Sequence, residues 1–169
     1  MDGLFGSDRV CGVIACETAV KMKTQVRVAL RKTRTLELRL DYLRDAGQRA
    51  AFLSWLWRER PRAVLIATCR SLRGGGLFGG GVQEQIEILQ TAERAGCGWC
   101  DVEIETARKI APRELRRSLA PARVMISHHD FRKTPRNLAG IVRELSRSGG
   151  HAVKIAGQCR SIADSVNIC

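Results

Sequence analysis

The sequence predicts an α/β protein: a parallel sheet closing toward a (β/α)8 barrel, with about six of the eight βα units present. Three observations carry this. Six short apolar runs, 10–15, 36–40, 63–68, 99–104, 124–127 and 152–156, start about 25 to 36 residues apart, the period of a strand plus a returning helix. Helical patterns fill the intervals between them. Polar side chains, Glu37, Arg39, Arg70, Glu103, His129 and Lys154, fall within or just after successive runs. In a barrel such strand ends converge on one mouth, whereas in an open doubly wound sheet they spread along an edge.

Taken in order, residues 1–9 read as an N-terminal extension and 10–169 as an incomplete barrel domain. The extension has no basic stretch leading into an apolar one, so no secretion signal is expected. Leu36-Glu-Leu-Arg-Leu-Asp41 alternates, placing Glu37, Arg39 and Asp41 on one face of the second strand. Because helices cover the outside of a barrel, that charged face must point inward or to the mouth, where unpaired charge is costly. Phe52, Trp55 and Leu56 form a helical face closed before Pro61, and Ile86 and Leu89 begin another that ends near Gly96. Ser127-His128-His129-Asp130-Phe131 marks the exit of the fifth strand, with the two histidines on opposite sides. Leu138, Ile141, Val142 and Leu145 give the clearest helix, with Thr134-Pro135 as cap and first turn and Gly149-Gly150 at its end. Beyond Lys154, a helix is expected from about Ser161.

A net charge of +12 raises the possibility of a nucleic-acid partner. The arginines, however, lie in scattered groups without interleaved aromatics to stack on bases, so a solvated basic surface is expected and nucleic acid is not. No apolar stretch approaches a membrane span. Seven cysteines, several beside apolar runs, suit reduced core thiols in a cytoplasmic protein. Cys97 and Cys100 have C-x-x-C spacing, but nothing completes four ligands, and no metal is expected.

Lys154 lies between apolar neighbours on a predicted buried strand. Burial and cationic neighbours lower a lysine pKa and leave free amine for attack on a carbonyl; alternatively its stem packs while its head reaches solvent. His129 can move protons near neutral pH, or can be structural. Gly74, Gly76 and Gly79 match G-x-G-x-x-G with Asp101 downstream, a rival dinucleotide-binding reading. The match falls at the third strand rather than the first, and a mobile loop over a site explains the glycines as well.

Glu37-Leu-Arg39-Leu-Asp41, Thr68-Cys-Arg70, Asp101-Val-Glu103, Ser127-His-His129-Asp-Phe131 with Thr134-Pro135, and Lys154-Ile-Ala156 stand in order at successive strand ends. Together they resemble type I 3-dehydroquinate dehydratase from about Val10 to Ala156. The resemblance implies dehydration of 3-dehydroquinate to 3-dehydroshikimate in the shikimate route to aromatic amino acids, without metal or coenzyme. It implies Lys154 as Schiff-base nucleophile, His129 as acid and base, and Glu37, Arg39 and Arg70 as substrate-binding residues. A homodimer is a further implication. Two departures stand out: Gly74 occupies a position where the family often has a carboxylate, and strands seven and eight are not found. The alternative is therefore an inactive barrel fragment.

Overall fold

The described residues of the computed structural model are 10–168; the expected 1–9 extension lies outside them. Six strands, β1 (Gly12–Ile14), β2 (Thr35–Arg39), β3 (Val64–Thr68), β4 (Trp99–Glu103), β5 (Arg123–Asp130) and β6 (Ala152–Gly157), form one parallel sheet in sequential order. The intervening helices are α1 (Ala19–Ala29), a 3-10 turn (Leu40–Tyr42), α2 (Ala46–Glu59), α3 (Val82–Arg94), α4 (Ile104–Ala107), α5 (Pro112–Leu119), α6 (Leu138–Arg147) and α7 (Ile162–Ile168).

Side-chain parity explains the layering. Leu36 and Leu38, Leu65 and Ala67, Cys100 and Val102, and Val124 and Ile126 share one face of the sheet and pack in the main core against helical residues such as Met22, Phe52, Leu89 and Leu115. The opposite parity forms a second, smaller cluster of Ile66, Trp99 and Met125, edged by Cys11, Val64 and Ala152. Along the same parity toward the strand ends lie Glu37, Thr68, Asp101, Ser127 and Lys154. The concave side is thus apolar at one level and charged at the next.

Curvature can be read from one contact. Lys154 Nζ on β6 lies 3.0 Å from Glu37 Oε2 on β2. Four strand spacings separate β2 from β6 in sheet order, about 19 Å in a flat sheet. Only a sheet rolled into an arc brings those side chains together. Among the described residues β1 and β6 each pair on one side only, and Val10, Val13 and Val153 on these edges are exposed.

Local sequence sets the helix ends. Thr18 accepts from the Lys21 amide and Asp45 from that of Gln48, capping α1 and α2. Pro112 opens α5, where its missing N–H costs nothing. Three expectations need correction. The α6 cap is Asn137, which accepts from Gly140 N, whereas Thr134 donates to the Gln158 carbonyl across the β6 exit. Asp41 lies in the 3-10 turn after β2 rather than on the strand. Strand β5 runs to Asp130 because β6 pairs with it as far as Gly157, so both histidines are on the strand and not in its exit loop.

Phe52 is fully buried and stacks on Trp55 at a centroid distance of 5.8 Å. Phe52→Ala should cost about 3–5 kcal/mol, measured as a lower denaturation midpoint, because truncating a fully buried core ring removes its packing and leaves a void.

Candidate active site

The charged level of the concave side is organised around Asp101, on β4 and 2% exposed. Its carboxylate accepts from Arg70 Nη2 at 3.1 Å, Lys154 Nζ at 3.2 Å and Ser127 Oγ at 2.5 Å. Burial alone would raise the Asp101 pKa, but Arg70, Lys154 and the Ser127 hydroxyl hold it below the usual carboxylate range. Arg70, just past β3, also donates to Ser127 Oγ at 2.9 Å. Glu37 receives Lys154 on one oxygen and Thr68 Oγ1, at 2.9 Å, on the other.

Burial opposes the charge on Lys154, yet Asp101 and Glu37 outweigh it and move its pKa above the ordinary lysine value. Of the two readings the sequence left open for Lys154, the one with a lowered pKa is not met: the neighbours that matter most are carboxylates, not cations. His129, two residues beyond Ser127 on the same face, is pushed down to about 4 by burial and by the Arg70 and Lys154 charges, against the opposing pull of Asp101. It is a neutral imidazole at neutral pH. His128, of opposite parity, points to the other side of the sheet.

Arg39 donates twice to Asp41, at 2.9 and 2.8 Å, and lies over the Tyr42 ring. Asp41 in turn accepts from Leu77 N, tying the glycine-rich segment to the 3-10 turn after β2.

A family model described as Type I 3-dehydroquinase matches residues 10–169. The chain belongs to the type I 3-dehydroquinase family. It is 31% identical over 137 residues to a 3-dehydroquinate dehydratase from Desulfotalea psychrophila, covering 79% of this chain and 58% of that one. It is 28% identical over 134 residues to a 3-dehydroquinate dehydratase from Coxiella burnetii, covering 78% and 53%. Among solved structures, the 3-dehydroquinate dehydratase from Geobacillus kaustophilus superposes with a TM-score of 0.80 at 22% identity, covering 95% of this chain and 66% of that one. The type I enzyme from Clostridium difficile, solved with covalently modified comenic acid, gives 0.76 at 20%, covering 92% and 65%. The chain therefore spans little more than half the length of these curated relatives. The superpositions establish the arc of six strands as six of the eight βα units of a (β/α)8 barrel.

Within this family frame, Glu37, Arg70 and Lys154 come together with Asp101 and Ser127, motif residues to which the sequence reading gave no role at this site, while Arg39 stands apart on Asp41. Asp101 could have been found from parity: it follows Trp99 on the inward face. The dinucleotide reading is overturned, since Asp101 is sealed inside the arc by three donors and cannot reach a ribose. Nor is the glycine segment a free lid. Ser71 donates through N and Oγ to Glu103, Gln85 Nε2 binds the same carboxylate, and Phe78 N bonds the Arg70 carbonyl. Gly74 has a packing reason: a Cβ there would lie 1.6 Å from Glu103 Oε1. The Glu103 carboxylate fills the space a side chain would need. Cys97 and Cys100 are core thiols whose pKa values burial raises, that of Cys100 to about 12. No helix among the described residues is long and apolar enough to cross a membrane.

Two outcomes are expected. Asp101→Asn should lower the Lys154 pKa, read by NMR of the ammonium, because one of two stabilising charges is gone. For His129, the folded pKa of about 4 lies below the ordinary 6.5, so the unfolded chain takes up its proton first as pH falls. Stability should decline between about pH 6.5 and 4, and denaturation midpoints of His129→Gln should show a shallower decline over that window.

Proposed function

We propose that this chain carries the imine-forming centre of a 3-dehydroquinate dehydratase, with Lys154 as nucleophile and His129 as acid and base. One observation carries the reading: an amine on β6 sits inside the mouth against two carboxylates, with a neutral imidazole on the adjacent strand β5. An amine held charged attracts an anionic, hydroxyl-rich ring but must lose a proton before it attacks. A neutral His129 is the group able to take it.

Attack of Lys154 Nζ on the substrate ketone, followed by loss of water, gives an iminium. The positive nitrogen withdraws electrons from the adjacent carbon, so His129 can remove a proton there and leave an enamine. Electrons returning through the enamine expel the hydroxyl, and protonated His129 gives its proton to it, releasing water. Hydrolysis of the product iminium restores the lysine. Dehydration is redox-neutral, and these steps balance without a metal or coenzyme.

Glu37 and Arg39 are proposed to bind ring hydroxyls. Their present partners, Lys154 and Asp41, leave the Arg39 side chain 18% exposed, while that of Arg70 is 3% exposed. Arg70 therefore acts in this reading mainly as a fixed cation that orients Asp101 and Ser127. Residues 10–169 are taken as the domain bearing this centre. The unpaired thiols of Cys11, Cys16, Cys69, Cys97, Cys100 and Cys159 suit a reducing cytoplasm, and the family resemblance suggests a homodimer. The open edges at β1 and β6 favour one second reading, a folded domain that binds but does not turn over.

Borohydride reduction in the presence of 3-dehydroquinate tests both. A ligand-sized mass gain on the wild type, absent from Lys154→Ala, is expected; released 3-dehydroshikimate then separates turnover from trapping alone. Folded protein that gives no adduct would remove Lys154 from the mechanism.

A further inference from the structure

His129 is a side chain whose use depends on its orientation, yet among the described residues neither ring nitrogen has a hydrogen-bond partner. The usual device for fixing an imidazole, an acceptor on one nitrogen, is not what holds this one. One ring contact takes its place: Phe131 stacks on His129 with centroids 5.9 Å apart and planes 22° from parallel. Phe131 is 58% exposed, so core packing does not account for its position.

Two further features pin Phe131 where it is. Asp130 Oδ1 accepts from Arg132 N at 2.9 Å and Lys133 N at 3.2 Å, closing a tight turn around Phe131 at the end of β5. On the glycine segment, a Cβ at Gly75 would meet Phe131 Cε2 at 2.5 Å and Cζ at 2.8 Å, and Gly75 itself has φ +76°. Only glycine allows both that backbone conformation and the ring's close approach. The Phe131 ring therefore meets both the His129 imidazole and the Gly75 backbone. The segment bearing Gly75 is itself anchored to Glu103 and Asp41.

We propose that Phe131 is the positioning residue for His129: in contact with both Gly75 and the imidazole, it fixes the ring's orientation and shields it from water. The role rests on His129 being the acid and base of the proposed reaction, but the contact can be tested without it. Removing the ring admits solvent to the imidazole while Arg70, Asp101, Lys154 and His128, the charged and titratable groups around it, stay in place.

The test is NMR titration of the His129 ring nitrogens in the unliganded chain, assigned with His129→Gln, for the wild type and for Phe131→Ala, Phe131→Tyr and Gly75→Ala. Phe131→Ala should raise the His129 pKa by about one pH unit or more toward the ordinary value, because desolvation is the largest cause of its depression. Phe131→Tyr, which keeps the stacking ring, should restore it. Gly75→Ala should reproduce the alanine effect with Phe131 intact, by pushing the ring away. Borohydride trapping run in parallel should slow in Phe131→Ala and recover in Phe131→Tyr. An unchanged His129 titration in Phe131→Ala, or an equal change in Phe131→Tyr, overturns the proposal. Failure of trapping in the wild type as well as the variants would count against the proposed reaction and leave the titration result standing.

Discussion

The buried carboxylate of Asp101 is the constraint on which the concave side depends. Sealed under the arc, it would be prohibitively costly as a lone charge, and it persists because Arg70, Ser127 and Lys154 all donate to it. Those three donors come from the end of β3, from β5 and from β6. The interaction therefore does two things at once: it joins three elements around β4, and it fixes where the cations of the mouth must stand. Glu37 completes the span by receiving Lys154 from across the arc.

The same cluster sets two pKa values in opposite directions. Lys154 gains more from its two carboxylates than it loses to burial, so its proton is held. His129 lacks a direct carboxylate partner and faces Arg70 and Lys154, so its proton is lost. One distribution of charge thereby holds a protonated amine and a neutral imidazole on adjacent strands, the separation of protonation states that the proposed reaction requires. Moving one carboxylate toward the histidine would weaken both.

Much of this was legible in the sequence, for identifiable reasons. Strand runs of five or so apolar residues at regular intervals, with polar residues at their ends, sufficed for the sheet, and alternation in β2 pointed Glu37 inward correctly. Helix α1 was less visible because its buried positions, Ala19, Met22 and Val26, are separated by Lys21, Lys23 and Thr24, which dilute the apolar face. Helix α5 shows only Leu115 and Leu119 to the core among arginines. The charge state of Lys154 was beyond local reading, since its partners lie 53 and 117 residues away in sequence. The C-terminal reach of β5 was hidden similarly, because pairing with β6, not residue type, keeps His128 to Asp130 extended.

The glycine-rich segment shows how one composition supports opposite structures. Gly74 to Gly81 can be read as a phosphate cradle or a mobile flap, and both readings treat glycine as a source of freedom. Here the glycines serve closeness instead. Gly74 yields its side-chain space to Glu103, Gly75 yields it to Phe131, and Gly76 lies against the Arg70 backbone, where a Cβ would fall 2.2 Å from the carbonyl oxygen. Each missing side chain is replaced by a neighbour that fixes the segment, through Ser71 on Glu103 and Leu77 on Asp41. A carboxylate at position 74 would have to share its space with Glu103, and two carboxylates that close cannot both stay charged without further cations. Glycine at 74 avoids that conflict and leaves the Glu103 carboxylate to Ser71, Gln85 and Arg70, while Phe131 supplies the ring contact to His129.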